Sequence, residues 1–343
     1  MAVVGSPGLV LRQWLRTTLE RPLEQCVAIT NKNPFIFGGT MKQLAVNLAL
    51  AIGAAVALVS APAHSQQTCD RACLEGFVDV YLDALVHRDP SRLALTRDMR
   101  FTENTVQLNL GDGLWLGADG IGKFKVIAAD PQWGTVGFFG VVTEHGIPRY
   151  FALRLGIKDR KIREIETVVG RVEKPTEDVM THTADEMFAA TVAAKQRRPR
   201  GEMVAITNSY FETIEQNNGN IAPFDKNCNR FENGVQTTNN PNLPWTGEGA
   251  SPASLSCRDQ FNSRRNPWLV PNRKFPVVDE ERGVTMTVFN FSTGAKDMGA
   301  GAAPSTVLRH SIIAELFKIQ DGRIQQIIAV LGGPLPYGSN TGW

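Results

Sequence analysis

Apolar residues recur at helical spacing in two stretches of the chain. Over residues 74–86 they fall at i, i+3, i+4 and i+7, a pattern that predicts a helix with one buried face. The pair Asp89-Pro90 predicts the end of this helix, because proline disfavours helical geometry in the residue before it. Residues 203–214 show the same pattern and predict a second helix that stops at Asn217-Asn218-Gly219.

A series of short β-type segments follows each predicted helix. After the first helix, strands are predicted over residues 100–110, 136–143, 150–157 and 162–169. After the second, they are predicted over residues 230–236, 275–278, 284–291, 311–319 and 324–331. One helix packed on a twisted antiparallel sheet is an α+β arrangement, and a curved sheet closed by a helix leaves a conical pocket.

The two series are copies of one another. The segment Thr102–Gln107 returns as Phe231–Gln236, and Tyr81 returns as Tyr210, both at an offset of 129 residues (81 to 210). The turn at Lys158-Asp159-Arg160 matches Gln320-Asp321-Gly322 at an offset of 162 (158 to 320), so the second copy carries insertions. So long a period favours two sibling domains over a solenoid, whose repeats are much shorter.

Domain boundaries follow from this duplication. We predict an upstream extension with a signal peptide over residues 1–65, a first domain over 66–172 and a linker over 173–201. A second domain is predicted over 202–335 and an irregular tail over 336–343. Its insertions, 237–252 and 293–304, are rich in small or turn-forming residues and are predicted to form surface loops. Within the linker, residues 184–194 are predicted to form a short helix.

The N-terminal region predicts export. Met41-Lys42 precedes an apolar, Ala-rich run over residues 44–59, and the small residues around Ala63 supply a cleavage pattern. The simplest interpretation is that translation starts at Met41 and that the mature chain begins near Gln66. The alternative, an uncleaved anchor, needs about 20 apolar residues, and this run is marginal for that. We therefore expect a periplasmic or secreted protein with a signal peptide at about 41–65.

Composition and cysteine content agree with a soluble, exported protein. A net charge of +2 argues against a nucleic-acid or acidic-surface partner, so we expect a small-molecule ligand and no nucleic acid. Removal of the leader leaves Cys69, Cys73, Cys228 and Cys257, for which three pairings are open. A Cys228–Cys257 bond would clamp the inserted region, and a Cys69–Cys73 bond would fasten the start of the first helix.

Each copy has the same order of elements: a helix, an Asp-Pro or Asn-Gly stop, a strand with Glu-Asn, and a three-stranded meander. This order resembles the nuclear transport factor two-like (SnoaL-like) superfamily, here in a tandem secreted form. The resemblance covers about residues 70–172 and 202–335 and implies two tandem cone-shaped α+β barrel domains. It also implies frequent dimerisation, so we expect an internal pseudo-dimer, with homo-oligomerisation as a further expectation. Members include cofactor-free isomerases, lyases and hydrolases as well as binding proteins, so fold alone leaves the chemistry open.

In the ketosteroid isomerases of this superfamily a helix tyrosine stabilises an oxyanion and a strand aspartate moves the proton. The resemblance places Tyr81 and Tyr210 at the tyrosine position. Asn104 and Asn233 fall within one residue of the aspartate position. Asparagine is no base, so any base must come from elsewhere in the cone.

Other candidates come from the residues themselves. Glu103 precedes Asn104, and Glu166 lies where the second copy has Ile328. Burial would raise the pKa of such a carboxyl and suit it to general-base catalysis. The resemblance places Trp115, Asp130 and Trp133 on the segment that rims the cone, and these are predicted substrate contacts. Asn104, near the aspartate position, and His145, in a hairpin turn, are the other two. In the second copy the comparable polar residues are Arg230 (in place of Phe101), Arg309 and His310.

Two functions remain open from the sequence. The first is an exported, cofactor-independent lyase or isomerase that acts on a small apolar molecule, with Tyr81, Glu166 and Glu103 as catalytic residues. The resemblance implies an aromatic, lignin-derived substrate, because some superfamily members cleave such compounds. The second is a non-catalytic periplasmic ligand-binding or assembly protein of the same fold. The chain has no Walker loop, dinucleotide fingerprint or zinc-protease motif, so we expect no cofactor and no metal.

Overall fold

The protein is described here from a computed structural model that covers residues 69–171, 186–247, 250–263, 268–293, 310–336 and 339–343. The predicted leader (1–65), most of the predicted linker, Arg309 and most of the 293–304 loop lie outside these residues. None of the helices in the described ranges combines the length and apolar character needed to cross a bilayer.

The first copy begins with helix α1 (Arg71–Val86), as its apolar periodicity predicts. Asp70 caps its first turn by accepting a hydrogen bond from the Cys73 N–H. A six-stranded sheet follows, in the order β2-β1-β6-β5-β4-β3. Its strands are β1 (Leu95–Glu103), β2 (Val106–Gln107), β3 (Ala118–Asp130), β4 (Thr135–Glu144), β5 (Ile147–Lys158) and β6 (Lys161–Gly170).

The second copy repeats this plan. Helix α2 (Arg200–Gln216) ends at Asn217, whose backbone is left-handed, a conformation that asparagine tolerates. The described strands form a seven-stranded sheet in which β10, β11, β12, β13, β7 and β8 lie side by side and β9 pairs with β11. The elements are β7 (Phe224–Glu232), β8 (Val235–Gln236), α3 (Cys257–Asn262), β9 (Trp268–Leu269), β10 (Lys274–Asp279), β11 (Val284–Thr293), β12 (His310–Gln320) and β13 (Arg323–Pro334).

Three apolar layers result from the alternation of side chains along the strands. One layer lies between α1 and the concave face of the first sheet, and the equivalent layer lies under α2 in the second. The third contains residues of both sheets, such as Phe139 and Met286, because the two sheets pack together through their convex faces. The predicted α+β fold of two tandem cones is confirmed.

The register of the two copies is the same across the parallel strand pair. Thr102 pairs with Glu166 in β1 and β6, and Phe231 pairs with Ile328 in β7 and β13. Thr102 and Phe231 are related by the offset of 129 residues, and Glu166 and Ile328 by the offset of 162.

Two local predictions were wrong, and two elements were not predicted. The 100–110 strand starts earlier and is broken at Asn104, where the backbone turns left-handed. β3 was missed, because Gly120 and Gly122 and a register shift interrupt its alternation. In the linker, the described part of 184–194 contains a short 3₁₀ turn at Glu186–Phe188 rather than an α-helix. Helix α3 was also missed, since a six-residue helix shows too little periodicity.

The cysteines form two pairs at disulfide geometry. Cys69 and Cys73 lie at the start of α1 with their Cα atoms 5.3 Å apart. Cys228 on β7 and Cys257 at the start of α3 have their Cα atoms 5.9 Å apart. Of the three open pairings, this is the one that fastens the first helix and clamps the inserted region.

Candidate active site

The interior of the first cone is lined by large buried side chains. Tyr81, Trp115, Phe138 and Phe151 all have less than 2% of their surface exposed. The Trp115 Nε1–H donates to the Tyr81 hydroxyl at 3.2 Å, and the two rings meet edge to face at 5.3 Å. Burial raises the pKa of Tyr81 above its ordinary value, so the phenol stays neutral. The predicted catalytic tyrosine thus binds the side chain that occupies the interior of its cone.

Glu103 and Asn104 both hold backbone in place. Glu103 Oε2 accepts a hydrogen bond from the Leu114 N–H at 2.8 Å, and Oε1 accepts one from Arg171 at 3.1 Å. The Asn104 side chain bonds the N–H and the C=O of Val169, at 2.8 and 3.2 Å. The equivalent Asn233 makes the same two contacts in the second copy, so the repeated asparagine belongs to the framework of the fold.

Glu166 does not line the first cone. Its neighbour Ile165 packs in that cone, and strand alternation turns Glu166 to the convex face, towards the other sheet. There its carboxylate contacts Arg154 Nε at 2.9 Å and Lys274 Nζ at 2.5 Å. Burial lowers the pKa of Lys274, and the Glu166 charge acts against that shift. Glu166 is therefore an ion-pair residue between the sheets, which corrects the expectation of a pocket carboxyl.

Asp130, Trp133 and His145 lie apart from the cone as well. Asp130 is buried and binds Arg200 at 2.5 Å and the Val278 N–H at 3.0 Å, both from the second copy. Trp133 is 64% exposed, and the Arg200 guanidinium lies 5.0 Å from its ring. His145 is exposed in the turn between β4 and β5. Only Tyr81, Glu103, Asn104 and Trp115 of the eight predicted site residues belong to the first cone and its rim.

The second cone contains a cavity of about 310 Å³. Its polar lining is formed by Tyr210 on α2, Arg230 and Glu232 on β7, and Ser311 and Glu315 on β12. The rest of the wall is apolar: Ile214, Trp268, Phe289, Phe291, Ile313 and Leu331. Few polar groups converging in an apolar pocket are typical of small-molecule sites.

Arg230 is held in this cavity by two neighbours. One terminal nitrogen donates to Glu232 at 2.5 Å and the other to Gln260, while the guanidinium lies 5.1 Å from the Phe261 ring. Burial disfavours its charge, but the charges of Tyr210, Glu232 and Glu315 more than compensate and hold its pKa above the ordinary value. Arg230 Nε is buried and has no hydrogen-bond partner among the described residues.

Glu315 completes the polar group. It is 4% exposed, and its Oε2 likewise has no hydrogen-bond partner in the described part of the chain. Burial raises its pKa to about 8, because the Arg230 charge and the Tyr210 hydroxyl offset only part of the desolvation. A carboxyl with such a pKa exchanges a proton near neutral pH, as a general acid or base must.

The two copies differ at both of these positions. At the offset of 129, Phe101 stands where the second copy has Arg230, and at 162, Leu153 stands where it has Glu315. Both first-copy residues are buried in the first cone. Comparison of the two copies in sequence already shows the difference between Phe101 and Arg230. Glu315 was not predicted, although the same comparison along β5 and β12 shows it opposite Leu153.

Comparisons with known proteins found one family model and several solved structures. A family model described as a domain of unknown function (DUF8021) matches residues 196–331. No curated protein matches the sequence significantly. Three similar solved structures each align with 38–39% of this chain.

The first of these structures is a candidate polyketide cyclase from Xanthomonas campestris pv. campestris (13% identity, 90% of that chain, TM-score 0.27). The second is an LEH-like epoxide hydrolase from M. tuberculosis (9%, 83%, TM-score 0.25). The third is AclR, a candidate hydroxylase from Streptomyces galilaeus (8%, 77%, TM-score 0.26).

The cavity groups suit proton transfer rather than metal binding. No group of three His, Cys, Asp or Glu side chains within the described ranges is placed to hold a metal ion. Arg230 brings a fixed positive charge, and Glu315 and Tyr210 bring exchangeable protons. Together they can stabilise a developing negative charge and move a proton beside it.

Proposed function

We propose that the second cone is the active site of a cofactor-independent enzyme that moves a proton on a small, largely apolar molecule, as an isomerase or lyase does. The observation that supports this is the pair of unpartnered atoms, Arg230 Nε and Glu315 Oε2, buried in one cavity of the described structure. A buried polar atom without a partner is costly, so such a pair favours a ligand that supplies both bonds.

The proposed chemistry assigns one task to each group. Glu315, when ionised, removes a proton from a carbon next to a carbonyl group and carries it as the neutral acid. Negative charge then develops on the carbonyl oxygen, where the Arg230 Nε–H donates a hydrogen bond. Glu315 returns the proton to another carbon in an isomerisation, or to the leaving group in an elimination. Tyr210, on helix α2, favours the charged form of both groups, because it raises the pKa of Arg230 and lowers the pKa of Glu315.

The wall of the cavity favours an aromatic or similarly flat substrate. Trp268 and Phe291 stack with ring centroids 4.5 Å apart, and Phe289 adds a third ring. Such walls bind apolar rings by excluding water and by favourable ring contacts. These rings support a small aromatic substrate, and the superfamily resemblance makes lignin-derived compounds the first to test.

The first cone is proposed to be a structural partner. Its interior is lined by buried apolar side chains, and the two copies exchange equivalent ion pairs, Arg71 with Asp279 and Arg200 with Asp130. These contacts support an internal pseudo-dimer of the tandem SnoaL-like form. The two cysteine pairs at disulfide geometry support export, since disulfides persist in oxidising compartments.

Solvent deuterium exchange tests the proposal without a known substrate. Purified protein is incubated in deuterated buffer with aryl ketones and lignin-type aromatic dimers, without cofactor, and products are scored by mass for deuterium uptake or loss of water or a one-carbon fragment. We expect Glu315→Gln to slow the reaction by about 100-fold or more, the usual contribution of general acid–base catalysis. Glu166→Gln is the matched control, because it removes a buried carboxylate outside the cavity.

The alternative is a non-catalytic protein of the same fold, which the apolar residues Phe101 and Leu153 favour for the first copy, because they stand where the second copy has Arg230 and Glu315. It predicts that the aromatic compounds bind but neither exchange nor turn over. Undiminished turnover in Glu315→Gln would show that the second cone is not the catalytic site.

A further inference from the structure

We infer that Gln260 is a positioning residue for Arg230, and that the Cys228–Cys257 bond keeps it in place, so the cavity is fully assembled only in the oxidised chain. This inference rests on the proposed role of the second cone.

Backbone carbonyl groups hold the amide nitrogen of the Gln260 side chain in place. Its Nε2 donates to the carbonyl oxygens of Thr237 at 2.6 Å and Pro252 at 3.2 Å. Because both contacts need an N–H donor, the amide must turn its Oε1 to the other side, where Arg230 donates to it. Gln260 is 6% exposed, so water offers little competition for these bonds.

These contacts fix the orientation of the Arg230 guanidinium, and with it the direction of its Nε–H. Gln260 occupies one terminal nitrogen and Glu232 the other. With both ends of the planar guanidinium held, Nε is the guanidinium nitrogen that has no partner among the described residues, and it can donate to a ligand. Loss of the Gln260 contact would allow the guanidinium to rotate.

The disulfide ties this arrangement to the sheet. Cys257 is the first residue of α3 and Gln260 lies three residues later, so both occupy one face of a helix of only six residues. A helix this short is not stable by itself in water. Its attachment to Cys228 on β7, two residues before Arg230 on the same strand, keeps the distance between Gln260 and Arg230 short.

Assembly of the site therefore requires oxidation of two thiols. Cys228 and Cys257 lose two electrons and two protons by exchange with a disulfide oxidant, which is reduced to its dithiol. In a reducing compartment the two cysteines remain thiols, and α3 is held only by non-covalent contacts.

Hydrogen exchange at the Arg230 Nε–H, followed by nitrogen-15 NMR without any ligand, tests the inference directly. Loss of the signal in Arg230→Lys assigns it. In Gln260→Met and in the double variant Cys228→Ser/Cys257→Ser we expect exchange to be faster by about tenfold or more, as local opening becomes easier. The double variant Cys69→Ser/Cys73→Ser is the matched control and should exchange like the wild-type protein.

Unchanged exchange in Gln260→Met would overturn the inference, since this variant keeps the disulfide and the side-chain volume. A variant that lowers the unfolding temperature without changing Arg230 exchange would show a merely structural role and count against it equally. Failure of the proposed function appears separately, as absence of turnover and binding in a wild-type protein whose Arg230 signal behaves as expected.

Discussion

Arg200 of the second copy binds Asp130 of the first, at the position where Arg71 of the first copy binds Asp279 of the second. Both carboxylates are almost completely buried, and each also accepts a backbone N–H from the other copy. The pairs therefore join the two cones reciprocally.

Removal of one cation from this arrangement should destabilise the protein strongly. Arg200→Met leaves Asp130 buried without its cation, for which we expect a loss of about 3 kcal/mol in the free energy of unfolding. Arg198→Met is the control, because its partners are exposed and exposed pairs contribute less than about 1 kcal/mol. Urea unfolding of both variants measures the difference, and equal losses would contradict a specific role for the buried pair.

Glu315 should make the protein less stable as the pH rises. Its pKa in the folded state is about 8, above the ordinary value of 4.5, so the folded state binds more protons than the unfolded state between these values. The stability contribution of its neutral form is present at pH 4.5 and is lost as the pH rises through 8. We expect Glu315→Gln to become more stable than the wild type across this range, by an amount on the order of a few kcal/mol.

Thermal unfolding of the wild type and Glu315→Gln at several pH values between 5 and 9 checks this expectation. If the unfolding temperatures of the two proteins change with pH in parallel, the pKa of Glu315 is not raised in the folded state.

The rate of the proposed reaction should rise with pH and level off above about pH 8, because the base form of Glu315 is required. The Arg230 charge does not titrate in this range, so no falling limb is expected from it. A rate profile for deuterium exchange between pH 6 and 10 measures the midpoint. A rate that falls over this interval would assign the acid form to the rate-limiting step instead.

The two helix tyrosines should respond differently to loss of the hydroxyl. Tyr81→Phe leaves the buried Trp115 N–H without its acceptor and should cost about 1–2 kcal/mol of stability with no effect on turnover. Tyr210→Phe removes a group from the cavity and should lower turnover. Parallel unfolding and rate measurements distinguish them, and reduced turnover in a stable Tyr81→Phe would return the site to the first cone.

Export predicts a processed N-terminus. When the full chain is expressed in a Gram-negative host, we expect a soluble periplasmic product that begins near Gln66, identified by mass spectrometry of the intact protein. A membrane-bound product that retains residues 41–65 would support the anchor instead.

Local patterns in the sequence predict most of the framework. The stripe around Tyr81 identifies α1, and the repeated Glu-Asn pair aligns β1 with β7, because helix and strand periods are properties of nearby residues. Those patterns do not say which face of β6 looks into the cone. Neighbouring residues of a strand point to opposite faces, so Glu166 lies at the contact between the sheets and not in the predicted pocket.

The sequence by itself determined the duplication, the α+β cones and the positions where the copies differ, since these depend on spacing along the chain. The tertiary structure alone decided which polar side chains meet inside each cone. Trp115 donates a hydrogen bond to Tyr81 in the first, whereas the packing of α3 and Gln260 against β7 holds Arg230 beside Glu315 in the second. Which side chains fill a cavity depends on residues far apart in sequence, and their meeting is set by packing and burial rather than by local pattern.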